Sequence, residues 1–421
     1  MTAREAAYLS LLRCEKAGKY TNIEADAAIK KYSLEDSDRA LYTTLVYGVT
    51  EREITLDHII TLFSSKKGKK ISPEVKTILR LGLYQIMFLD RIPEHAAVNE
   101  SVELSKKFAR GTQGFVNALL RAAIRGKDSI TYPDKATEAG VPNWMYDSFL
   151  RDYGKEKADE ILSSLLTPSR LTLRCNTLKC DEESLIKSIE VPCEKTKYAP
   201  HGVRLCENMA ITDFAPLADG YCFVQDEASQ LAAGALEAER TMTVIDACAC
   251  PGGKSFSAAL DMENTGKIIS CDLHENKLTL IENGAKRLGI SIIETRAQDA
   301  RKLIPDFEGK ADRVICDVPC SGLGILKKKP DIRKKSEEEI SGLCKVQYDI
   351  LENCAKYLKQ GGILIYSTCT LRKAENENIT DKFIKSHGEY EYVPINGDSG
   401  KVTIFPKDGI DGFYIAKIKR K

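Results

Sequence analysis

No stretch of this chain approaches the eighteen or so consecutive apolar residues that a membrane span requires, and Met1-Thr2-Ala3-Arg4-Glu5 lacks an apolar signal region. Both absences point to a cytosolic protein that keeps off membranes. Paired histidines at zinc-ligand spacing are missing too. Cys248 and Cys250, with Cys271 further on, are separated by one residue instead of the two to four of a zinc knuckle, so no metal is expected there. Gly253-Lys254-Ser255 imitates the end of a phosphate-binding P-loop, but the required glycine five residues upstream is Cys248. Pro251 also removes an amide that would cradle phosphate, which disfavours an ATPase. Net charge is nearly absent, at +1 over 421 residues.

Cysteine, by contrast, is plentiful. Its 14 copies are spread along a large intracellular-looking chain, where reduced thiols packed as small hydrophobes are expected rather than disulfides. The neutral total also hides an asymmetry. Residues 60–130 hold 13 Lys and Arg against 6 Asp and Glu, whereas residues 131–421 hold 41 against 45. A basic N-terminal region suits a polyanion, although a solvated helical face would look the same. The cationic residues are Lys66, Lys67, Lys69 and Lys70 in one loop, with Lys106, Lys107 and Arg110 on a later segment.

The length suggests two to four domains. Residues 1–130 read as an all-helical bundle, with apolar residues at helical spacing in Leu41, Leu45, Val46 and in Ile54, Leu56, Ile59, Ile60, Phe63. Ser72-Pro73-Glu74 is a cap followed by a proline at the first helical position. Residues 131–216 predict a helical connector over Asn143 to Leu166 and a small α+β module. That module holds a strand at Leu171–Arg174, a helix from Asp181 and a strand at Val203–Cys206.

Residues 217–421 alternate strand and helix, predicting an α/β Rossmann-like domain with a doubly wound, mostly parallel sheet. Helices are expected over 255–261, 275–288, 337–358 and 374–386, and a closing antiparallel pair over 402–405 and 413–418. Ligands in such sheets gather at the carboxyl ends of strands. Four acids stand at those ends: Asp246, Asp272, Asp299 and Asp317. The turn Cys248-Ala249-Cys250-Pro251-Gly252-Gly253-Lys254 leads from the first strand into a helix, with glycines that let a ligand approach the backbone. Asp272 follows Asp246 by 26 residues, near the offset at which an acid bonds ribose hydroxyls, so an adenosine-bearing cofactor is implied. Asp299 is placed to reach the adenine amino group. Two thiols, Cys320 in Asp317-Val318-Pro319-Cys320 and Cys369 in Ser367-Thr368-Cys369, follow later strands.

Two resemblances sharpen this reading. DRALYTTLVYGVTERE, ILRLGLYQIMFLDRIPEHAAVNESVELSKKF and GFVNALLRA resemble the NusB family of RNA-binding helical domains over about 125 residues. DACACPGGK, DVPCSGLG, YSTCT and FYIAKIKR are similar to motifs of the NOL1/NOP2/Sun family of RNA 5-methylcytosine methyltransferases. Cys250 departs from that pattern, where alanine is usual. The resemblances imply S-adenosylmethionine as cofactor and RNA as partner. Together they imply a cytosine in small-subunit (16S) ribosomal RNA, single-stranded or in a loop, methylated by a monomer. A transfer RNA substrate and a non-enzymatic RNA-binding factor are the alternatives.

Carbon 5 of cytosine is too weak a nucleophile to take the methyl group unaided. A thiolate adding to carbon 6 activates it, and a base then removes the carbon 5 proton so that the thiol departs. Spacing leaves open which cysteine attacks. Pro319-Cys320 looks like the nucleophile loop of DNA cytosine methyltransferases, whereas family resemblance assigns attack to Cys369 and product release to Cys320. Asp317 would hold the ring at N3 and its amino group, and Lys254 the cofactor carboxylate or the substrate.

Overall fold

The computed structural model describes residues 1–64, 70–167, 169–207, 214–397 and 399–421, the side chain of residue 36 aside. The chain divides into two units, Met1–Leu166 with Leu326–Lys335 and Thr167–Ile325 with Ser336–Lys421.

The first unit is helical: α1 (Ala3–Ala17), α2 (Thr21–Tyr32), α3 (Asp36–Glu51), α4 (Glu53–Phe63), α5 (Pro73–Phe88), α6 (Glu94–Phe108), α7 (Gln113–Arg125), α8 (Lys135–Ala139) and α9 (Asn143–Leu165). The expected Ser72 cap forms, accepting from the Val75 N–H, and Thr2 likewise accepts from that of Glu5, satisfying amides that a helix start leaves without partners. Leu45, Val46, Leu56, Ile59 and Ile60 are all buried in one core with Tyr8, Ile78, Leu79 and Leu120, as their helical spacing requires. Inside it Arg80 makes two bonds to Asp57, of 2.7 and 2.8 Å, and meets Glu53 at 3.0 Å, so this buried charge is paired. The far segment Leu326–Lys335 belongs to this unit in detail. Asp331 accepts from the Thr21 N–H at 3.0 Å and the Thr21 hydroxyl at 2.6 Å, capping α2 from three hundred residues away. Trp144 Nε1 donates to the Lys335 carbonyl at 3.1 Å.

The second unit holds two sheets. In the smaller, β1 (Thr172–Cys175), β2 (Cys193–Lys195), β3 (Gly202–Leu205) and β4 (Cys222–Val224) run antiparallel in the order β2-β3-β1-β4, with α10 (Glu182–Lys187) capped by Asp181 and α11 (Ala215–Ala218) alongside. The larger comprises β5 (Thr243–Asp246), β6 (Lys267–Asp272), β7 (Ile293–Ala297), β8 (Ala311–Asp317), β9 (Leu358–Thr368), β10 (Tyr390–Tyr392), β11 (Lys401–Ile404) and β12 (Phe413–Arg420). Its order is β10-β12-β9-β8-β5-β6-β7, with β11 on β12; β5 to β9 are parallel and β12 is antiparallel. Alternate residues face opposite ways. Val244, Ile315 and Ile365 enter one core with α12 (Glu227–Gly234), α13 (Gly253–Asp261) and α14 (Glu275–Leu288). Ile245, Val314, Cys316, Leu364 and Tyr366 enter the other with α15 (Leu343–Lys356) and α16 (Glu377–Ser386). Burial on both faces is why these strands read as continuous apolar runs.

Two expectations shift. The helix expected from residue 337 begins at Leu343. Ser336 and Glu339 bond each other's backbone amides as a capping box, yet the residues that follow, through Gly342, form turns and not a helix. The last helix begins at Glu377 instead of 374, because Lys373–Glu375 form a 3₁₀ turn.

Candidate active site

After β7 the chain crosses to the other side of β5 and enters β8, so the sheet's switch point lies between β5 and β8. Asp246, Asp272 and Asp317 are the last residues of β5, β6 and β8, while Asp299 lies two residues past the end of β7. Both thiols sit in loops leaving β8 and β9, which pair in register with Asp317 opposite Ser367. The structure brings those thiols together: Cys320 Sγ and Cys369 Sγ are 3.2 Å apart. The Cys369 sulfur, burial, and the charges of Glu375 and Asp317 together hold the Cys320 thiol well above its ordinary range.

Asp317 is held at both oxygens. Lys254 Nζ donates to Oδ2 at 2.7 Å and Ser367 Oγ to Oδ1 at 2.6 Å, leaving the lone pairs that face away from these donors. Lys254 is itself 8% exposed and lies 5.1 Å from the centre of the Phe413 ring. This short ion pair places one positive and one negative group within a few ångströms of the sulfur pair's strand ends.

The turn Cys248–Lys254 has the shape its glycines suggest. Gly252 has φ +111°, and a Cβ there would stand 2.4 Å from the Phe256 ring, so the fold itself demands glycine. A Cβ on Gly253 would stand 3.6 Å from Gln225, ordinary contact distance, so the fold does not itself demand glycine there. Ala249 and Cys248 pack against the cores on either face of the sheet. Asp272 accepts from the Cys250 N–H at 3.3 Å and the His274 N–H at 3.1 Å, tying the two strand-end loops to one carboxylate. Asp246 receives the Ser255 hydroxyl at 2.7 Å on Oδ2, while Oδ1 is buried without a partner among the described residues. Burial pushes this carboxyl up to about 7. A buried acceptor without a donor at Asp246, a glycine at Gly253 that the fold does not itself require and a strand-end acid at Asp272 fit a cationic, adenosine-bearing ligand. Asp299 is engaged instead by Arg301, at 2.9 and 2.8 Å, whose hydrogen bonds hold it below the usual carboxylate range. Contact with an adenine amino group would have to share those oxygens.

The expected RNA contacts lie in the helical unit. Lys66, Lys67 and Lys69 fall outside the described residues. Lys70 and Arg110 are exposed. Lys106 and Lys107, on the last turn of α6, pair with Glu103 at 2.5 Å and Glu5 at 2.6 Å. Sequence reasoning missed Ser367, which its neighbour Cys369 overshadowed, and Gln347, Glu375 and Asn376, which lie behind the thiol loops. A polar residue inside a helix segment carries no signal of where its side chain ends.

Comparison with known proteins agrees with this geometry. Residues 233–419 match the family model described as 16S rRNA methyltransferase RsmB/F, residues 1–125 the NusB family, and residues 141–212 the RsmF/B-like ferredoxin-like domain. The chain is 36% identical to the probable ribosomal RNA small subunit methyltransferase B of Bacillus subtilis, over 100% of this chain and 99% of that one. A Synechocystis relative of the same description is 34% identical over 100% of both. The crystal structure of the protein PH0851 superposes with a TM-score of 0.82, covering 100% of this chain and 99% of that one; at 24% identity it shows the fold alone.

Proposed function

Because the chain belongs to the ribosomal RNA small subunit methyltransferase B family, we propose that it methylates carbon 5 of one cytosine in small-subunit ribosomal RNA, through a covalent bond from Cys369 to carbon 6. The observation that carries this reading is the 3.2 Å approach of two strand-end thiols beside Asp317. One thiol suffices for nucleophilic addition; a second in contact with it suits a reaction whose adduct must also be resolved.

S-adenosylmethionine, when bound, supplies an electrophilic methyl group on a sulfonium centre. Asp272 would hold its ribose and the Cys248–Lys254 turn its amino-acid end. The chemistry on the base falls to this chain's side chains. The cytosine has to leave any helix to present its edge, so a loop or flipped base is the substrate. Asp317, kept in place by Lys254 and Ser367, accepts from the exocyclic amino group and from N3 once that nitrogen, made basic by the electron density that addition drives into the ring, has taken a proton from water, which it returns when the thiolate leaves. Cys369 forms the sulfur–carbon 6 bond as thiolate, and the carbon 5–carbon 6 electron pair takes the methyl group. Cys320 stands next to the departing sulfur. Water takes the carbon 5 proton; the freed pair restores the carbon 5–carbon 6 double bond as the Cys369–carbon 6 bond breaks and its pair leaves on sulfur as the thiolate.

Bisulfite sequencing of small-subunit ribosomal RNA from cells with and without this gene tests the reading. One cytosine should be protected only when the gene is present and should regain protection when the purified chain and S-adenosylmethionine are added. An identical bisulfite pattern in both strains would refute it.

A further inference from the structure

Both thiol loops rest on one buried dipeptide that no part of the chemistry above uses. Glu375 closes the 3₁₀ turn after β9 and Asn376 precedes α16; both are fully buried. Glu375 Oε2 accepts from the Ser321 N–H at 2.9 Å and from Gln347 Nε2 at 2.9 Å, and Gln347 Nε2 also donates to the Pro319 carbonyl at 3.0 Å. The residues on each side of Cys320 are thus held by Glu375, directly or through Gln347 of α15. Asn376 treats Cys369 in the same way. Its Oδ1 accepts from the Thr368 hydroxyl at 2.6 Å and its Nδ2 donates to the Thr370 carbonyl at 2.9 Å. Between the loops, Ser321 Oγ and Thr370 Oγ1 are 2.7 Å apart, and Gly324 donates its N–H to the Cys369 carbonyl at 2.9 Å. Glu375 Oε1 is closed off by Arg372 Nη1 at 3.3 Å. A carboxylate taken wholly out of water is costly unless every lone pair finds a donor, and here three donors converge on it. Among the described residues Gln347 Oε1 and Arg372 Nε are buried without a partner, but every side-chain oxygen of Glu375 and Asn376 has a donor, and so desolvated a cluster has few low-energy arrangements.

We propose that Glu375 and Asn376 are positioning residues that set the separation of the two thiols, Glu375 through the Cys320 loop and Asn376 through the Cys369 loop. The proposal rests on the two-thiol reading of the site. It assigns the dipeptide no contact with RNA or cofactor. Addition and release need sulfur atoms placed differently relative to one base, so an ångström of drift in either loop acts on turnover and leaves binding alone.

The test uses the full-length chain with Glu375→Gln, Asn376→Asp and Glu375→Ala. Glu375→Gln keeps an oxygen for Ser321 and Gln347 but offers Arg372 an amide. Asn376→Asp keeps the acceptor for Thr368 and sets a carboxylate against the Thr370 carbonyl. Two measurements are paired on variants with unchanged circular dichroism: steady-state methyl transfer, and the rate at which dibromobimane bridges Cys320 and Cys369 without RNA. The expected result is a fall in kcat of about tenfold for the two near-isosteric variants and about 100-fold for Glu375→Ala, the scale of an ångström's misplacement. The KM for RNA and the Kd for S-adenosylmethionine should stay within about twofold, as for groups that touch neither ligand. Bridging by dibromobimane should slow in parallel with kcat, and Glu375→Gln should recover part of the loss seen in Glu375→Ala. Wild-type kcat in folded Glu375→Gln and Asn376→Asp would overturn the proposal, and so would a loss of kcat with bridging unchanged. Should the unsubstituted chain produce no methylcytosine, the chemical reading fails, while the bridging rates still decide whether this dipeptide sets the sulfur separation.

Discussion

At the level of single residues, the roles of the two sulfur atoms separate by substitution. Cys369→Ala is expected to abolish both methyl transfer and any protein–RNA adduct. Cys320→Ala leaves attack and methylation possible and removes the sulfur beside the departing Cys369, so a denaturation-resistant complex with RNA should accumulate when S-adenosylmethionine is present, visible as a shifted band on a denaturing gel. A trapped complex with Cys369→Ala instead would exchange the roles. Asp272 answers to a different measurement. Its replacement by alanine removes a charged acceptor and should weaken S-adenosylmethionine binding by about 1.5 to 3 kcal/mol in a calorimetric titration. Asp246 has a pH signature. Its carboxyl, pushed up to about 7 by burial, keeps a proton in the folded state that the unfolded chain has released above about pH 4. Stability from this group is therefore complete at low pH and is lost as pH rises toward 7. Asp246→Asn should flatten that fall, which the difference in melting temperature between pH 5 and pH 7 reports.

Among the elements, the informative piece is the segment Leu326–Lys335. It leaves the β8 loop only a few residues after Cys320, yet Leu326, Ile332 and Arg333 are buried within the helical unit. Burial lowers the Arg333 guanidinium to about 10, a sign of how completely that side chain is removed from water. The cap that Asp331 gives α2 replaces one that Tyr20, at the N-cap position, cannot make. Asp331→Ala is expected to destabilise the helical unit by about 1 to 3 kcal/mol, since it frees a helix-terminal amide and a buried hydroxyl at once. Urea unfolding followed by helical ellipticity checks this, with the transition of the helical unit moving and that of the sheet unit staying in place.

Across the molecule, the helical unit is built from two separated stretches of chain, so cutting after residue 127 does not release a clean catalytic fragment. Such a truncation should expose the segment 326–335, and trypsin should cleave within Lys327–Lys335 faster than in the full chain, as mass spectrometry of the early fragments would show. RNA affinity is better tested by neutralising Lys66, Lys67, Lys69 and Lys70 in the intact chain. If they meet a single-stranded region, the log-log salt dependence of binding should flatten by about 0.7 for each phosphate that is no longer neutralised. Lys106 and Lys107, already paired with Glu103 and Glu5, should contribute less than their charge suggests.

Local pattern was enough to place the helical N-terminal part, the alternating strands and helices that follow, and the strand-end positions of Asp246, Asp272, Asp317 and both thiols, because each is carried by a short period or by a residue next to a strand's end. Even the antiparallel close of the sheet was legible, as the pair expected over 402–405 and 413–418, while its register, Ile404 opposite Phe413, came with the fold. Whatever depends on distant stretches meeting became visible in the folded chain alone. The 3.2 Å approach of Cys320 to Cys369 follows from β8 lying beside β9 in parallel register, which no pattern within either strand specifies. Asp331 capping α2 and Glu375 reaching Ser321 are long-range contacts of the same kind. Hydrophobic periodicity reports which face of an element is buried; it holds no record of which polar side chains meet once that burial is complete.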